Sequence, residues 1–465
     1  MMTPSTAERT VDQTRVRTTE ITRRVGGVPL LVTIFIVALF IPLFVFLGPV
    51  RLSTYRIVLL ALFFPAIFRL LNGLAGRMRL PDFCVIGICV WSSISLMVIH
   101  SAGEVVEPIG IFWIEALGSY LVGRVYIRTP EAFYSVIRLL FWLCMLMLPF
   151  AIFEALASRN MILFFFDKIG STLPDLAGRI DNRLGLNRVQ GPFDHPILFG
   201  VLFGSLIGLS YYVLGYGRMI LVRLLHPAII AFTAVLSLST GPLIAMNTQI
   251  LLVMWDRIFG SIKMRWYILT ALAVVGYIIV DVFIARKTPF HTIVTYLSFS
   301  QGSAYNRITI WHYGTQNIFD NPFFGVGLNE WARPEWMSSS MDMFWIVGAV
   351  QHGIVVWVLW LVLFFSVFLQ VAWSKGLNAR LQDYRTGYLI SLFGFFMAGW
   401  TVHFWNALFV YFMFMLGSGL WMTESPSDDG SDMISDDPSR LPGYSRFPPR
   451  AVGPAAARES ARTLS

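Results

Sequence analysis

Apolar stretches long enough to cross a bilayer recur along almost the whole chain, and they constrain the fold more than any other feature. A bilayer core of about 30 Å needs about 20 apolar residues in a helix. Twelve candidates occur, near 27–48, 57–75, 82–100, 109–127, 136–157, 195–215, 227–240, 242–256, 266–285, 343–373, 386–403 and 405–422. The seventh and eighth are short and separated by Thr240-Gly241-Pro242, so they read as two tilted helices or one interrupted span. In lipid every backbone polar group must be satisfied within its own element, which favours helices. Only 13% of the 465 residues are charged, against about 25% in an ordinary soluble domain. That excludes a soluble enzyme, a disordered chain and a fibrous protein. The expected class is an all-α polytopic membrane protein of about 12 transmembrane helices.

Orientation follows from Lys and Arg in the short loops. Arg77, Arg79, Arg128, Arg218, Arg223, Arg257, Lys263, Arg265, Lys375, Arg380 and Arg385 fall on one side if the N-terminus is cytoplasmic. Both termini are therefore expected inside. The net charge of +8 is read as loops meeting anionic lipid, with no nucleic-acid partner. Three regions are expected: a basic cytoplasmic N-terminus (1–26), a transmembrane domain (27–424) and a disordered cytoplasmic tail (425–465) rich in Ser, Asp, Pro, Arg and Ala. No cleavable leader precedes the first span by this reading, because the first 24 residues are polar. Cys84, Cys89 and Cys144 all lie in apolar runs and are read as small apolar side chains. No repeat at fixed period is visible.

Two long loops, 158–194 and 286–342, fall on the outer side and hold most of the polar side chains suited to chemistry. They bring Arg183, Arg188, Arg307, Arg333, Asp194, Asp342, His195 and His312 to that face. Arginine presents a planar fork of donors that matches phosphate oxygens. Several arginines beside a bilayer suit a lipid-linked phosphate or diphosphate. They equally suit an interfacial girdle of Arg and Trp that only anchors the protein. The segment from Asn306 to Phe319 reads as an amphipathic helix on the bilayer, stopped by Asn321-Pro322. Gly325 and Gly327 make a weak nucleotide signal, since no strand precedes them. Glu115 and Arg124, inside the fourth span, are expensive in lipid and should face protein or water.

Five stretches carry a family resemblance: Arg188 to Gly200 (Arg-Val-Gln-Gly-Pro-Phe-Asp-His-Pro-Ile-Leu-Phe-Gly), Leu236 to Pro242, Tyr305 to Trp311, Asn321 to Leu328, and Arg333 to Trp345 with Gly353. In order and spacing, from about residue 30 to 420, the chain resembles the O-antigen ligase and polymerase superfamily, in its exopolysaccharide polymerase (Wzy-type) branch. The resemblance implies a GT-C-like membrane glycosyltransferase bundle with two long periplasmic loops, without metal or cofactor. It implies transfer of a glycan from undecaprenyl diphosphate to an acceptor hydroxyl at the outer face of the bacterial inner membrane. The acceptor is the next lipid-linked repeat unit in polymerases and a lipid A core in ligases. A flippase and chain-length regulator or export proteins are the further partners such a system implies. Ligases carry His-Asn where this chain has Asp342-Met343, and Ser-Arg-Gly where it has Ser239-Thr240-Gly241. Both departures favour a polymerase over a ligase.

Glycosyl transfer from a diphosphate needs charge neutralisation and a base for the incoming hydroxyl. Arg188 and Arg307 are the expected diphosphate clamp, with Arg333 as a further binding residue. Asp342 is the candidate base, and its alternative role is an N-cap of the tenth span. His195 is a second catalytic candidate, or a simple helix cap before Pro196. Trp311 and Trp336 are candidates for stacking on sugar faces. The rival from another class is a 12-span secondary transporter, although such proteins often show an internal repeat.

Overall fold

The computed structural model describes residues 24–25, 28–48, 50–177, 182–279, 282 and 301–424. The expected tail 425–465 and most of the N-terminal segment lie outside the described residues.

A short hairpin, β1 (Arg24–Val25) and β2 (Val28–Pro29), precedes α1 (Leu30–Ala38). Strands β3 (Leu43–Leu47) and β4 (Val50–Ser53) follow, then α2 (Thr54–Leu71), α3 (Leu80–Ile99), α4 (Ala102–Tyr126) and α5 (Pro130–Ala157). The first long loop holds α6 (Met161–Asp167) and β5 (Ser171–Thr172). Then come α7 (Pro196–Leu214), α8 (Ile220–Val235), α9 (Thr240–Ile258), α10 (Arg265–Ile279) and α11 (Gln301–Asp320). The chain closes with α12 (Phe344–His352), α13 (Ile354–Ala372), α14 (Ala379–Gly399) and α15 (Asn406–Thr423). Among the described residues seven helices are long and apolar enough to cross a membrane: α2, α3, α4, α5, α7, α13 and α15. This is a multi-pass helical membrane protein.

Local chemistry sets several helix starts. Thr129 Oγ1 accepts from the Ala132 amide and Pro130 opens α5, a position where its missing N–H costs nothing. Asn378 Oδ1 accepts from Leu381 at the start of α14. The three cysteines are free and buried, as their apolar settings predict.

The charges inside α4 face protein. Arg124 donates to the carbonyls of Ala75 (2.5 Å) and Arg77 (3.1 Å) and lies 3.4 Å from the Asp82 carboxylate. Its side chain is fully buried, which rules out snorkelling. Glu115 sits on a π-helical turn, Ile114–Gly118, and pairs with Arg56 Nε at 2.8 Å. A removed partner would leave an uncompensated buried charge, which is why such groups come in pairs.

Two apolar stretches fold differently from their sequence reading. In 27–48 the helix stops at Ala38, and Leu43–Leu47 instead forms a strand paired antiparallel with β4 and β5. Hydropathy does not distinguish an apolar strand from an apolar helix over so few residues. The stretch 343–373 is two helices, broken at Gly353. There φ is +84°, and a Cβ would fall on the Phe323 carbonyl. The helices fold back on each other: the Phe344 and Trp360 rings are 5.2 Å apart and those of Trp345 and Phe364 are 5.4 Å apart. The start of α12 therefore lies beside the middle of α13.

The Asn321–Leu328 motif straps this break. Ile354 N–H donates to Pro322 O, Val326 N–H to Val350 O and Gly327 N–H to Gln351 O, all at 2.8–2.9 Å. Gly325 and Gly327 take φ near +65°, with backbone or His100 where a side chain would be. The two glycines serve close packing. Helix α11 also differs from a helix laid only on lipid. Its Ile310 is fully buried with Trp331, Met337, Met343 and Ile346.

Candidate functional site

The starts of α7, α9, α12 and α15 gather at one place, together with the buried part of α11. Small residues allow it. A Cβ on Gly200 of α7 would overlap Ser237 and Pro242, and one on Gly241 of α9 would overlap Val402. The Phe344 amide, opening α12, donates to Val402 O at 3.0 Å. Helix N-termini carry partial positive charge and unpaired N–H groups, so their convergence favours an anion.

The turn before α7 is stapled from α5. Glu154 accepts from the Gln190 and Gly191 amides at 2.8 and 3.1 Å. Asn160 donates to Gly191 O at 2.7 Å, and Asn187 donates to Ala155 O. From this fixed turn, Val189 N–H donates to Leu236 O, Arg183 to Leu238 O at 2.8 Å, and Arg188 Nη2 to Ser239 Oγ at 2.6 Å. Leu238 holds φ at +45°, an uncommon setting for a non-glycine residue. Ser239 occupies the N-cap of α9, yet its hydroxyl makes no capping bond and serves Arg188 instead. Two of the resembling motifs are thus one structural unit.

Arg307 reaches the same place from α11. It is 7% exposed and donates through Nε to Thr401 O at 3.3 Å. Burial pushes its guanidinium below the ordinary value; the Asp342 carboxylate acts in the opposite direction and Arg183 adds to the lowering. Arginine remains protonated at neutral pH all the same. Arg307, Asp342 and Arg183 therefore feel one another's charge.

Asp342 is not the cap of α12. Met343 stands at that N-cap, without a side-chain bond. Asp342 Oδ1 instead accepts from Ser340 Oγ at 2.8 Å. The capping alternative is corrected accordingly. His195 does cap: its Nδ1 accepts from the Ile197 amide at 3.2 Å. Burial first, then Arg188 and Arg183, lower its imidazole to about 4. The ring is neutral at pH 7. With Nδ1 accepting, its proton is on Nε2, which makes Nε2 a donor.

Arg333 is held elsewhere. Through Nε and Nη1 it donates to Glu330 at 2.9 Å and to the carbonyls of Met337 and Trp331, all within its own loop. Trp336 is 63% exposed and stacks on Tyr305, two residues from Arg307, with centroids 6.1 Å apart. Trp311 packs toward Trp400. His312 is exposed, and His352, at the end of α12, is 3.4 Å from Ser95 Oγ.

A second polar chain joins the site from below. Asn406, with φ +49°, donates to Asp194 Oδ1 at 3.0 Å and accepts from Arg56 at 3.3 Å. Through Arg56 it reaches Glu115. Burial raises the Asp194 carboxyl above its ordinary range, against the bond from Asn406.

Residues 225–361 match the family described as Wzy_C, O-Antigen ligase. The match spans 137 of the 465 residues and supports the O-antigen ligase/polymerase superfamily. Wzy_C members are membrane glycosyltransferase-like enzymes, and a lipid-linked oligosaccharide and the bilayer are the partners this implies. The Wzy_C stretch contains Ser239, Arg307, Arg333 and Asp342. Arg183, Arg188 and His195 precede it, and the two arginines meet it at Leu238 and Ser239. No curated protein matches the chain.

Glu154, Asn160, Thr401 and Asn406 are the residues of this site that sequence reasoning missed. A signal existed for Glu154 alone: a carboxylate within an apolar run is costly in lipid and marks a partner.

Proposed function

We propose that this O-antigen ligase/polymerase relative is a polysaccharide polymerase of the exopolysaccharide or O-antigen type. It joins undecaprenyl-diphosphate-linked repeat units at the periplasmic face of the bacterial inner membrane. The reading includes a GT-C-like bundle of about 12 spans in residues 27–424, with both termini cytoplasmic. The observation that carries it is that buried Arg307 donates to Thr401 O while the Phe344 amide, two residues after Asp342, donates to the adjacent Val402 O. An anion clamp beside a carboxylate base would use such a neighbourhood.

In the proposed reaction Arg188 and Arg307 hold the donor's diphosphate, aided by the helix starts around them. The acceptor hydroxyl gives its proton to Asp342 and attacks the anomeric carbon. The anomeric C–O bond breaks, and the diphosphate leaves with its electron pair. Ser340 holds one Asp342 oxygen, and the other is assigned to the acceptor. His195, its Nδ1 engaged, gives a hydrogen bond to the leaving group through Nε2 instead of taking a proton. Arg333 acts by holding its loop, and the Tyr305–Trp336 pair offers a face for a sugar ring. Asp342-Met343 and Ser239-Thr240-Gly241, in place of the ligase patterns, support the polymerase over the ligase.

The test is deletion of the gene in its host, with gel analysis of polysaccharide beside an extract of lipid-linked oligosaccharides. Loss of long polymer with build-up of single lipid-linked repeats is expected. Complementation with Arg307→Ala or Asp342→Asn should leave that defect, at normal protein level. Long lipid-linked polymer would instead favour the ligase. No change in either pool would favour the transporter.

A further inference from the structure

We propose that the β3–β4 hairpin and α6 form a lipid-contact platform seated in the headgroup layer, selective for anionic lipid. The three strands lie in the order β4-β3-β5, with Leu43 opposite Thr172 and Phe44 opposite Ser171. Helix α6 leads directly into β5, so hairpin and helix make one surface. Val45, Phe46 and Leu47 of the hairpin are 52–70% exposed. Phe164 and Phe165 of α6, and Ile169 just after it, are 44–60% exposed.

Two physical requirements fix where this surface sits. Exposed apolar side chains in such number are costly in water and mark an interaction site. The strands at either edge of the sheet have an unpaired side among the described residues, and open sheet edges are not tolerated in the hydrocarbon core. Only the interfacial layer gives apolar contact to the side chains and water or headgroups to the backbone. The charges agree. Arg51 lies over the Phe44 ring at 3.5 Å, and Arg159 and Lys168 flank the Phe164 ring at 5.5 and 4.4 Å. The carboxylates beside them are Asp167 at the end of α6, Asp175, which accepts from the Asn160 amide at 3.4 Å, and Asp194, which feels Arg51 but is held by Asn406. Cations beside membrane-facing aromatics are the pattern that binds anionic headgroups.

One residue connects the platform to the arginine site. Asn160 caps α6 by accepting from Leu163 N–H at 3.0 Å, and its amide donates to Gly191 O. The platform thereby sets the height of the bilayer surface against the turn that carries Arg188 and His195. This inference stands whatever the chain catalyses.

The test places a nitroxide on Leu47→Cys in the full chain, reconstituted in phosphatidylcholine nanodiscs. The native cysteines are buried and should not label. Phe165→Cys is the second site, in case the first disturbs folding. Collisions with oxygen should exceed those with a water-soluble nickel chelate. Adding phosphatidylglycerol should move the label deeper, and Arg159→Gln with Lys168→Gln should abolish that shift. A label open to the nickel chelate places the surface in water and overturns the proposal. So does shielding from both reagents, which means a protein surface covers it. A depth unchanged by anionic lipid overturns the selectivity.

Discussion

Arg188 and Ser239, 51 residues apart in the chain, meet at 2.6 Å. The contact joins the turn before α7 to the N-cap residue of α9 and holds a guanidinium where several helices begin. Arg333, the further binding residue expected from the sequence, donates to Glu330, Met337 and Trp331 within its own loop. Arg188→Ala and Arg307→Ala should each lower the transfer rate by about 10²–10³-fold, the usual cost of one charge-stabilising donor. Arg333→Ala should lower the rate less than either, since its bonds to Glu330, Met337 and Trp331 hold its own loop. Rates on purified lipid-linked oligosaccharide in nanodiscs measure the contrast. An Arg333 variant as impaired as Arg307→Ala would remove the distinction.

Asp342→Asn should abolish transfer while leaving the melting temperature unchanged. It stabilises no helix start, because Met343 is the N-cap of α12. Asparagine keeps the acceptor for Ser340 but takes no proton. Paired activity and thermal-shift measurements check this. A large fall in melting temperature would point to a structural role.

The His195 imidazole, ordinarily 6.5, lies at about 4 in the folded turn, chiefly through burial. Below about 6.5 the unfolded turn takes up a proton that the folded turn refuses. The stability linked to this group is therefore complete above about 6.5 and is lost as pH falls toward 4. Hydrogen exchange in peptides covering 190–197, corrected for intrinsic rates, should accelerate across that window. His195→Gln should flatten the dependence.

Glu154→Ala should loosen the same turn without touching any group assigned to chemistry. It strips the Gln190 and Gly191 amides of their acceptor, at about 1–3 kcal/mol for each donor left unsatisfied. Faster exchange at 187–195 and a lower transfer rate should appear together, with Glu154→Gln intermediate. Unchanged exchange in the alanine variant would show that another acceptor takes over.

Much of the helical plan is readable from the apolar stretches, because long runs without charge have one solution in lipid. The departures come where hydropathy carries no information about direction. Gly353 lies in a run as apolar as any other, and its positive φ, not its polarity, folds α12 back on α13. Residues 43–47 are apolar enough for a span, yet Thr172 and β4 supply partners for an extended backbone. In the site, arginine chemistry pointed to Arg188 and Arg307. The different bonds of Arg307 and Arg333 are not written in the sequence, since they depend on which carbonyls the fold places within reach. Asn406 gave no signal at all; its importance arises only from lying between Arg56 and Asp194.

The bonds from Arg307 to Thr401 and from Asn406 to Asp194 bridge 94 and 212 residues. A growing chain that has emerged only as far as α14 has its arginines but neither of these partners. Synthesis thus carries a built-in delay: the polar cluster closes only when the last membrane helix is delivered. Truncated products from an interrupted ribosome would sit in the bilayer with this cluster unfinished.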